Sequence, residues 1–269
     1  HFVAHVVDIS DRKEAQARIH ELAFYDTLTG LANRRLFRER LAHALRRDGR
    51  TGQIGAVILV DIDHFKHLND MYGHETGNAL LVAVAQRLGA SVRTTDTVAR
   101  PGGDEFLILL ESLGTGWEEA TRWAASMART LIGVFDQSFA LEPLGDFRGS
   151  CSLGITFYQD SGLSVDDLVK QAEVALYEAK RSGRNRWRFF DPSMQLAVEK
   201  RAAVELALRK AMPRQELQLH YQPQVFADGT VYGVEALIRW YPHQGGPIAP
   251  GDFIPIAEES GLILPIGRW

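Results

Sequence analysis

The sequence predicts a mixed α/β (α+β) fold with an antiparallel element in its sheet, followed by a second unit of different rhythm. Three observations carry this. From residue 25 to residue 191, apolar strand-like segments alternate with amphipathic helical ones, the pattern of helices laid against a sheet. Two short strand patterns flank Gly102-Gly103, and a glycine pair between apolar runs signals a hairpin. Asp191-Pro192 breaks the pattern, which resumes with a long helix and two strands.

The elements follow in order. Residues 2–9 read as a short strand. Residues 12–24 read as a polar helix with Ser10 as N-cap and a narrow apolar stripe of Ala15, Ile19 and Leu22, spaced as in a coiled coil. That helix is either a solvated connector or a dimerising signal helix. Residues 53–61 form a strongly apolar strand. Residues 78–92 form a helix with Leu80, Leu81, Val84, Ala85 and Leu88 on one side. Strands at 97–100 and 105–110 surround the glycine pair, and helix 117–135, strand 148–157, helix 165–181 and strand 186–190 complete the first unit. Beyond it come helix 194–212, strands 217–221 and 231–238, a Gly/Pro-rich loop at 242–250 and the start of a helix at 250–260.

Composition narrows the function. The chain has 269 residues, 45% hydrophobic and 24% charged, enough for a substantial core. A net charge of −4 supplies no global positive field, which argues against binding a nucleic acid polymer. The single cysteine, Cys151, allows no internal disulfide. It reads as a core residue in a protein of the reducing cytoplasm. Apolar runs such as residues 56–60 are far short of the ~20 residues of a membrane span, so no membrane contact is expected from this segment. The chain opens at His1 without a methionine and reads as cut from a longer protein.

Two acidic groups stand out. Asp61 and Asp63 lie where an apolar strand ends, and Asp104 and Glu105 lie at the tip of the glycine hairpin. Carboxylates at a strand end and a hairpin tip can converge across neighbouring strands. Mg²⁺ takes one or two carboxylates together with phosphate oxygens and water. Gly102 and Gly103 allow positive φ and close approach of a phosphate. Lys66 follows the acidic strand end, and Lys180 and Arg184 bracket Ser182-Gly183 at the end of a helix. Taken singly, these are also a strand cap, a turn and a helix C-cap with dipole-complementing cations.

Together the motifs resemble the GGDEF family of diguanylate cyclases. Arg100-Pro101-Gly102-Gly103-Asp104-Glu105-Phe106 resembles that family's signature, and the stretch from Asp26-Thr27-Leu28-Thr29 to Arg35 its opening motif. Asp61-Ile62-Asp63-His64-Phe65-Lys66, Asn69-Asp70 and Gly73-His74 follow in the family's order. The resemblance implies a palm-like sheet related to nucleotidyl cyclases and polymerases. It implies that two GTP condense to cyclic di-GMP with release of pyrophosphate, across a homodimer of facing domains. Asp61, the Ile62 carbonyl and Asp104 would hold Mg²⁺ (or Mn²⁺), and Glu105 would complete that site or deprotonate the attacking hydroxyl. Phe65, Lys66, Lys180 and Arg184 would hold the β- and γ-phosphates, and Asn69 would contact guanine. Asn78 stands where the family often has Asp. Its amide has one acceptor oxygen for guanine's two N–H groups, so weaker guanine binding is expected.

Arg93-Thr94-Thr95-Asp96 matches the family's product-binding inhibitory motif. Read without the resemblance, it is a surface salt bridge at a helix end, of little worth. Leu219-His220-Tyr221-Gln222-Pro223, the stretch around Glu235-Ala236-Leu237 to Trp240, and Phe253-Ile254-Pro255 resemble the start of an EAL phosphodiesterase domain. Glu235 would be a metal ligand, Arg239 a phosphate contact and Gln222 a substrate contact. A TIM-like barrel needs about 250 residues, so this truncated start is expected to lack phosphodiesterase activity. Val6 to Lys13 resembles the exit of a PAS sensor. The organisation expected is residues 1–10 the end of a PAS-like sensor, 11–24 a linker helix, 25–191 the GGDEF domain and 192–269 the truncated EAL domain. The alternative is a GTP-binding regulatory module that controls an attached phosphodiesterase.

Overall fold

Gly-Ala-Val-Ile-Leu-Val-Asp-Ile at 55–62 is apolar on both sides of its pleat, and a strand of that kind must be covered on both faces. In the computed structural model this strand, β1 (Gly55–Ile62), is buried along its whole length. Alternate residues serve two separate cores. Ala56, Ile58, Val60 and Ile62 join one, and Val57 and Leu59 the other. The structure describes residues 10–142, 144–159, 162–243 and 246–269. The strand expected at 2–9, the PAS-like exit and the side chains of Ser10 and Ala15 lie outside the described residues. The chain divides into two compact units, His1–Met194 and Gln195–Trp269.

In the first unit, helix α1 (Ser10–Phe24) leads into α2 (Arg34–Thr51), which precedes β1. Helix α2 was not foreseen, because arginines dilute its apolar stripe of Phe37, Leu41 and Ala44. Asn33 caps it by accepting from the Arg35 and Leu36 N–H groups, and Gly52 closes it at φ 68°. After β1 comes α3 (Phe65–Ser91), two helical stretches joined at Gly73, whose φ of 83° favours glycine. Helix therefore begins thirteen residues before the expected 78, directly after the acidic strand end. Strands β2 (Thr97–Gly102) and β3 (Glu105–Leu110) form the expected hairpin. Then follow α4 (Trp117–Gly133), the unforeseen short hairpin β4 (Phe139–Leu141) and β5 (Gly145–Phe147), β6 (Cys151–Tyr158), α5 (Val165–Arg181) and β7 (Trp187–Phe189).

The sheet runs β2-β3-β1-β6-β7, antiparallel except for the β6–β7 pair. Residues of α3 and α4 fill one core, residues of α2 and α5 the other, and Cys151 is fully buried in the first. Helix α5 lies close on β6. A Cβ on Gly154 would come within 2.0 Å of the Ala172 carbonyl and 2.3 Å of the Leu176 nitrogen.

The second unit contains most of α6 (Pro192–Ala211), the hairpin β8 (Leu217–Val225) and β9 (Val231–Trp240), α7 (Pro250–Glu259) and α8 (Ile263–Arg268). Its core gathers Leu208, Ala211, Leu217, Trp240, Phe253, Ala257 and Ile266. Glu216 is anchored there, accepting from the Trp240 indole N–H at 3.2 Å. No described helix is long and apolar enough to cross a membrane.

Candidate functional site

The antiparallel register of β1 and β3 sets Asp61 opposite Glu105. The Ile62 N–H donates to the Asp104 carbonyl at 3.4 Å. The two acidic groups separated by 43 positions of sequence are thus neighbours. Gly102 and Gly103, in the turn from β2 into β3, sit at φ 149° and 58°, values that favour glycine. Lys180, near the end of α5, places Nζ 2.7 Å from Asp61 Oδ1 at the end of the central strand.

Burial pushes the Asp61 carboxyl up to about 6; the Lys180 hydrogen bond and charge offset part of the rise, and the charges of Asp104 and Glu105 add to it. Burial also raises Glu105, with the charges of Asp104 and Glu173 behind it. Acids that repel one another at a strand end form a site that favours added positive charge. Among the described residues no three His, Cys, Asp or Glu side chains converge into a metal cage. The oxygens of Asp61, Asp104 and Glu105 that the strand register brings together are hard donors, of the kind Mg²⁺ takes together with phosphate and water. A cleft of about 170 Å³ beside Glu105 is lined by Arg34, Gly102 and Glu173 among others.

Asp63 serves differently. Its buried carboxylate accepts from the Ser150 hydroxyl (2.7 Å), the Ser152 hydroxyl (2.8 Å) and the Asn185 N–H (3.1 Å). It therefore clamps the loop after α5 to the end of β1, and Arg184 in that loop sits at φ 55°. Phe65 and Lys66 open α3, so their N–H groups are among those a helix start leaves for an anion. Phe65 is buried and Lys66 exposed. Asn69 Oδ1 is buried and accepts no hydrogen bond among the described residues. Room for it exists because residue 77 is glycine, where a Cβ would lie 1.9 Å from that oxygen. Asn78 is exposed on the next turn.

The hairpin tip is tied down by residues to which the sequence reading gave no role. Arg100 donates to the Gly103 carbonyl (2.7 and 3.1 Å) and pairs with Asp26 at 3.0 Å. Burial alone would raise the Asp26 carboxyl, but hydrogen bonds from Thr29 and Arg100 hold it below the ordinary range. The Arg100 N–H donates to the Ala32 carbonyl at 2.8 Å. The turn after α1 is thereby fastened to the glycine hairpin. The spacing of Asp26 and Arg100 offers no signal of this pairing; a lone Asp and Arg inside two separate motifs was the sole hint.

Arg93 and Asp96 lie between α3 and β2, a short way from the hairpin in sequence. Asp96 is buried and accepts the Arg93 N–H at 3.1 Å and the Glu111 N–H at 3.3 Å. The Arg93 guanidinium lies over the Trp123 ring, not in the side-chain ion pair that the plain reading expected. In the second unit, Gln222 stands directly opposite Glu235 and Gln218 opposite Arg239 on the β8–β9 ladder.

The comparisons with known proteins agree with this geometry. The family model described as diguanylate cyclase, GGDEF domain, matches residues 23–186, and the EAL domain model matches 205–269. The bifunctional diguanylate cyclase/cyclic di-GMP phosphodiesterase MucR of Pseudomonas aeruginosa is 42% identical over 95% of this chain and 36% of its own length. The cyclic di-GMP phosphodiesterase PdeR of Escherichia coli is 37% identical over 97% of the chain and 38% of its own length. The chain thus spans about a third of the length of these curated relatives. Among solved structures, the GGDEF domain of YfiN (TpbB) from Pseudomonas aeruginosa superposes with a TM-score of 0.61 at 32% identity, covering 65% of this chain and 99% of that one. The coiled coil and GGDEF domain of DgcB from Caulobacter crescentus, in complex with c-di-GMP, gives 0.59 at 27% identity, covering 67% and 93%. The fold, the ordered motifs and these matches together show that the chain belongs to the GGDEF diguanylate cyclase domain family and continues into the opening part of an EAL domain.

Proposed function

We propose that this chain is a diguanylate cyclase that condenses two GTP molecules into cyclic di-GMP. One observation carries the reading: the β1–β3 register puts Asp61 beside Glu105 and Asp104, with the Lys180 ammonium on the same carboxylate. Mg²⁺ bound among these oxygens would neutralise charge developing on the phosphates. Lys180 and Arg184 attract the outer phosphates, and the N–H groups of Phe65 and Lys66 receive their oxygens. The unpartnered Asn69 oxygen supports a contact with a guanine N–H, and Asn78 adds a second, weaker one.

The 3′-hydroxyl oxygen of one GTP bonds to the α-phosphorus of the other, and the bond from that phosphorus to the bridging oxygen breaks. Pyrophosphate leaves with the electron pair, and the same attack by the second nucleotide's 3′-hydroxyl on the first's α-phosphorus closes the ring and releases a second pyrophosphate. Glu105, whose carboxyl is held above the ordinary range, would take the hydroxyl proton. One domain holds one nucleotide, so two domains must face each other, and catalysis depends on aligning two bound halves. The exposed Ile19 and Leu22 of α1 support a dimerising role for that helix. Arg93 and Asp96 form the product-inhibition site. Arg93→Ala is expected to abolish inhibition by added cyclic di-GMP, and unchanged inhibition refutes the assignment.

Incubation with GTP and Mg²⁺ tests the main reading, with cyclic di-GMP and pyrophosphate as expected products. A second reading draws on the relatives named as phosphodiesterases, PdeR among them: the domain binds GTP and regulates an attached phosphodiesterase. GTP binding without turnover in the same incubation would replace the first reading by the second.

A further inference from the structure

Trp123 lies on α4, outside every motif named above, yet the Arg93 guanidinium sits over its ring at 4.1 Å from the centroid. A guanidinium is flat. An indole against one face leaves the other face and the in-plane N–H groups open to a ligand. Both residues are exposed, Trp123 at 46%, and among the described residues the stack is the contact recorded for the guanidinium. A free arginine surrenders much rotamer freedom on binding, and the stack removes part of that cost in advance.

Asp96 is held as firmly from the other side. One carboxylate oxygen accepts the Arg93 N–H and the other the Glu111 N–H, which leaves lone pairs at a fixed place. Guanine suits this pair of groups. It has a flat π face for the guanidinium, N7 and O6 acceptors for the arginine N–H groups, and an exocyclic N–H donor for the carboxylate.

We propose that Trp123 is the floor of the product-binding site, holding Arg93 flat so that a guanine of cyclic di-GMP seats against the guanidinium and Asp96. This rests on the reading of Arg93 and Asp96 as that site. Titration calorimetry of the full chain with cyclic di-GMP tests it, using Trp123→Ala, Trp123→Phe and Arg93→Ala. The expected result is roughly five- to tenfold weaker binding for Trp123→Ala and recovery to within about threefold for Trp123→Phe, the size of a partly desolvated cation–π contact. Cyclic di-GMP should also change the tryptophan emission of the native chain, and Trp123→Phe should remove that change. Native affinity in Trp123→Ala, with binding lost in Arg93→Ala, overturns the role of Trp123 and leaves the site in place. Native affinity in Arg93→Ala overturns the site itself, and the Trp123 inference with it.

Discussion

Burial and the acids beside it push the Asp61 carboxyl up to about 6, against an ordinary value of 3.8, despite the Lys180 ammonium. A carboxyl with a raised folded pKa binds protons more tightly in the fold than in the unfolded chain. Stability therefore falls as pH rises from about 4 to about 6, and the full cost persists above that. Asp61→Asn should abolish turnover and yet raise unfolding free energy at pH 7.5 by on the order of 1–2 kcal/mol, with no gain at pH 4. Urea unfolding at the two pH values checks this, and a variant less stable than the native chain at pH 7.5 contradicts it. Asn78 makes the opposite kind of case. A carboxylate there would accept both guanine N–H groups in charge-assisted bonds, so Asn78→Asp should tighten GTP binding by roughly fivefold or more. An unchanged Kd would remove Asn78 from the guanine site.

At the scale of elements, the site depends on how closely α5 approaches β6, since α5 carries Lys180. Gly154 permits that approach. Gly154→Ala must push backbone against backbone and should cost about 1–3 kcal/mol or more, while weakening GTP binding through displaced Lys180. Thermal unfolding and GTP titration together check the pair of effects; an unaltered melting temperature would mean that the helix moves freely. The Asp26–Arg100 contact joins the turn after α1 to the hairpin tip. Its carboxyl lies below the ordinary range, so its contribution is present above pH 3.8 and is lost as pH falls through the lower folded value. Asp26→Asn should lower unfolding free energy at pH 7 by about 1–2 kcal/mol. The difference from the native chain should shrink as pH falls below 3.8 and through the lower folded value, as equilibrium unfolding at pH 7 and in acid would reveal.

For the whole molecule, each first unit carries a single set of the cations proposed above to hold the outer phosphates, Lys66, Lys180 and Arg184. Specific activity should therefore rise with protein concentration until domains are paired. Equal specific activity across a hundredfold range of concentration would contradict pairing as the limiting step. In the second unit the hairpin carries Gln222 and Glu235 opposite each other, on two strands of a partial EAL domain. The 269-residue chain is accordingly expected to leave added cyclic di-GMP unhydrolysed over hours with Mg²⁺ or Mn²⁺, as chromatography would show.

The sequence by itself determined the family and most of the elements, and singled out the acidic and basic candidates, because those signals are local. Gly102-Gly103 demands a turn, residues 55–62 demand cover on both faces, and acids beside such segments stand out against them. Helix α2 and the early start of α3 escaped because polar residues diluted their apolar stripes, and helices of that kind gain their stability from tertiary packing. Only the tertiary structure decided which acid does what. Asp61 and Asp63 are two residues apart, a spacing that a continued strand would put on one face, but β1 ends at Ile62 and the backbone turns at His64 (φ 60°): one acid meets Lys180 and the hairpin acids, the other two serines and a loop N–H. The same holds for Arg100 with Asp26 and for Arg93 with Trp123. These partners come from distant stretches of chain, and their meeting is set by sheet register and helix packing, which no local pattern records.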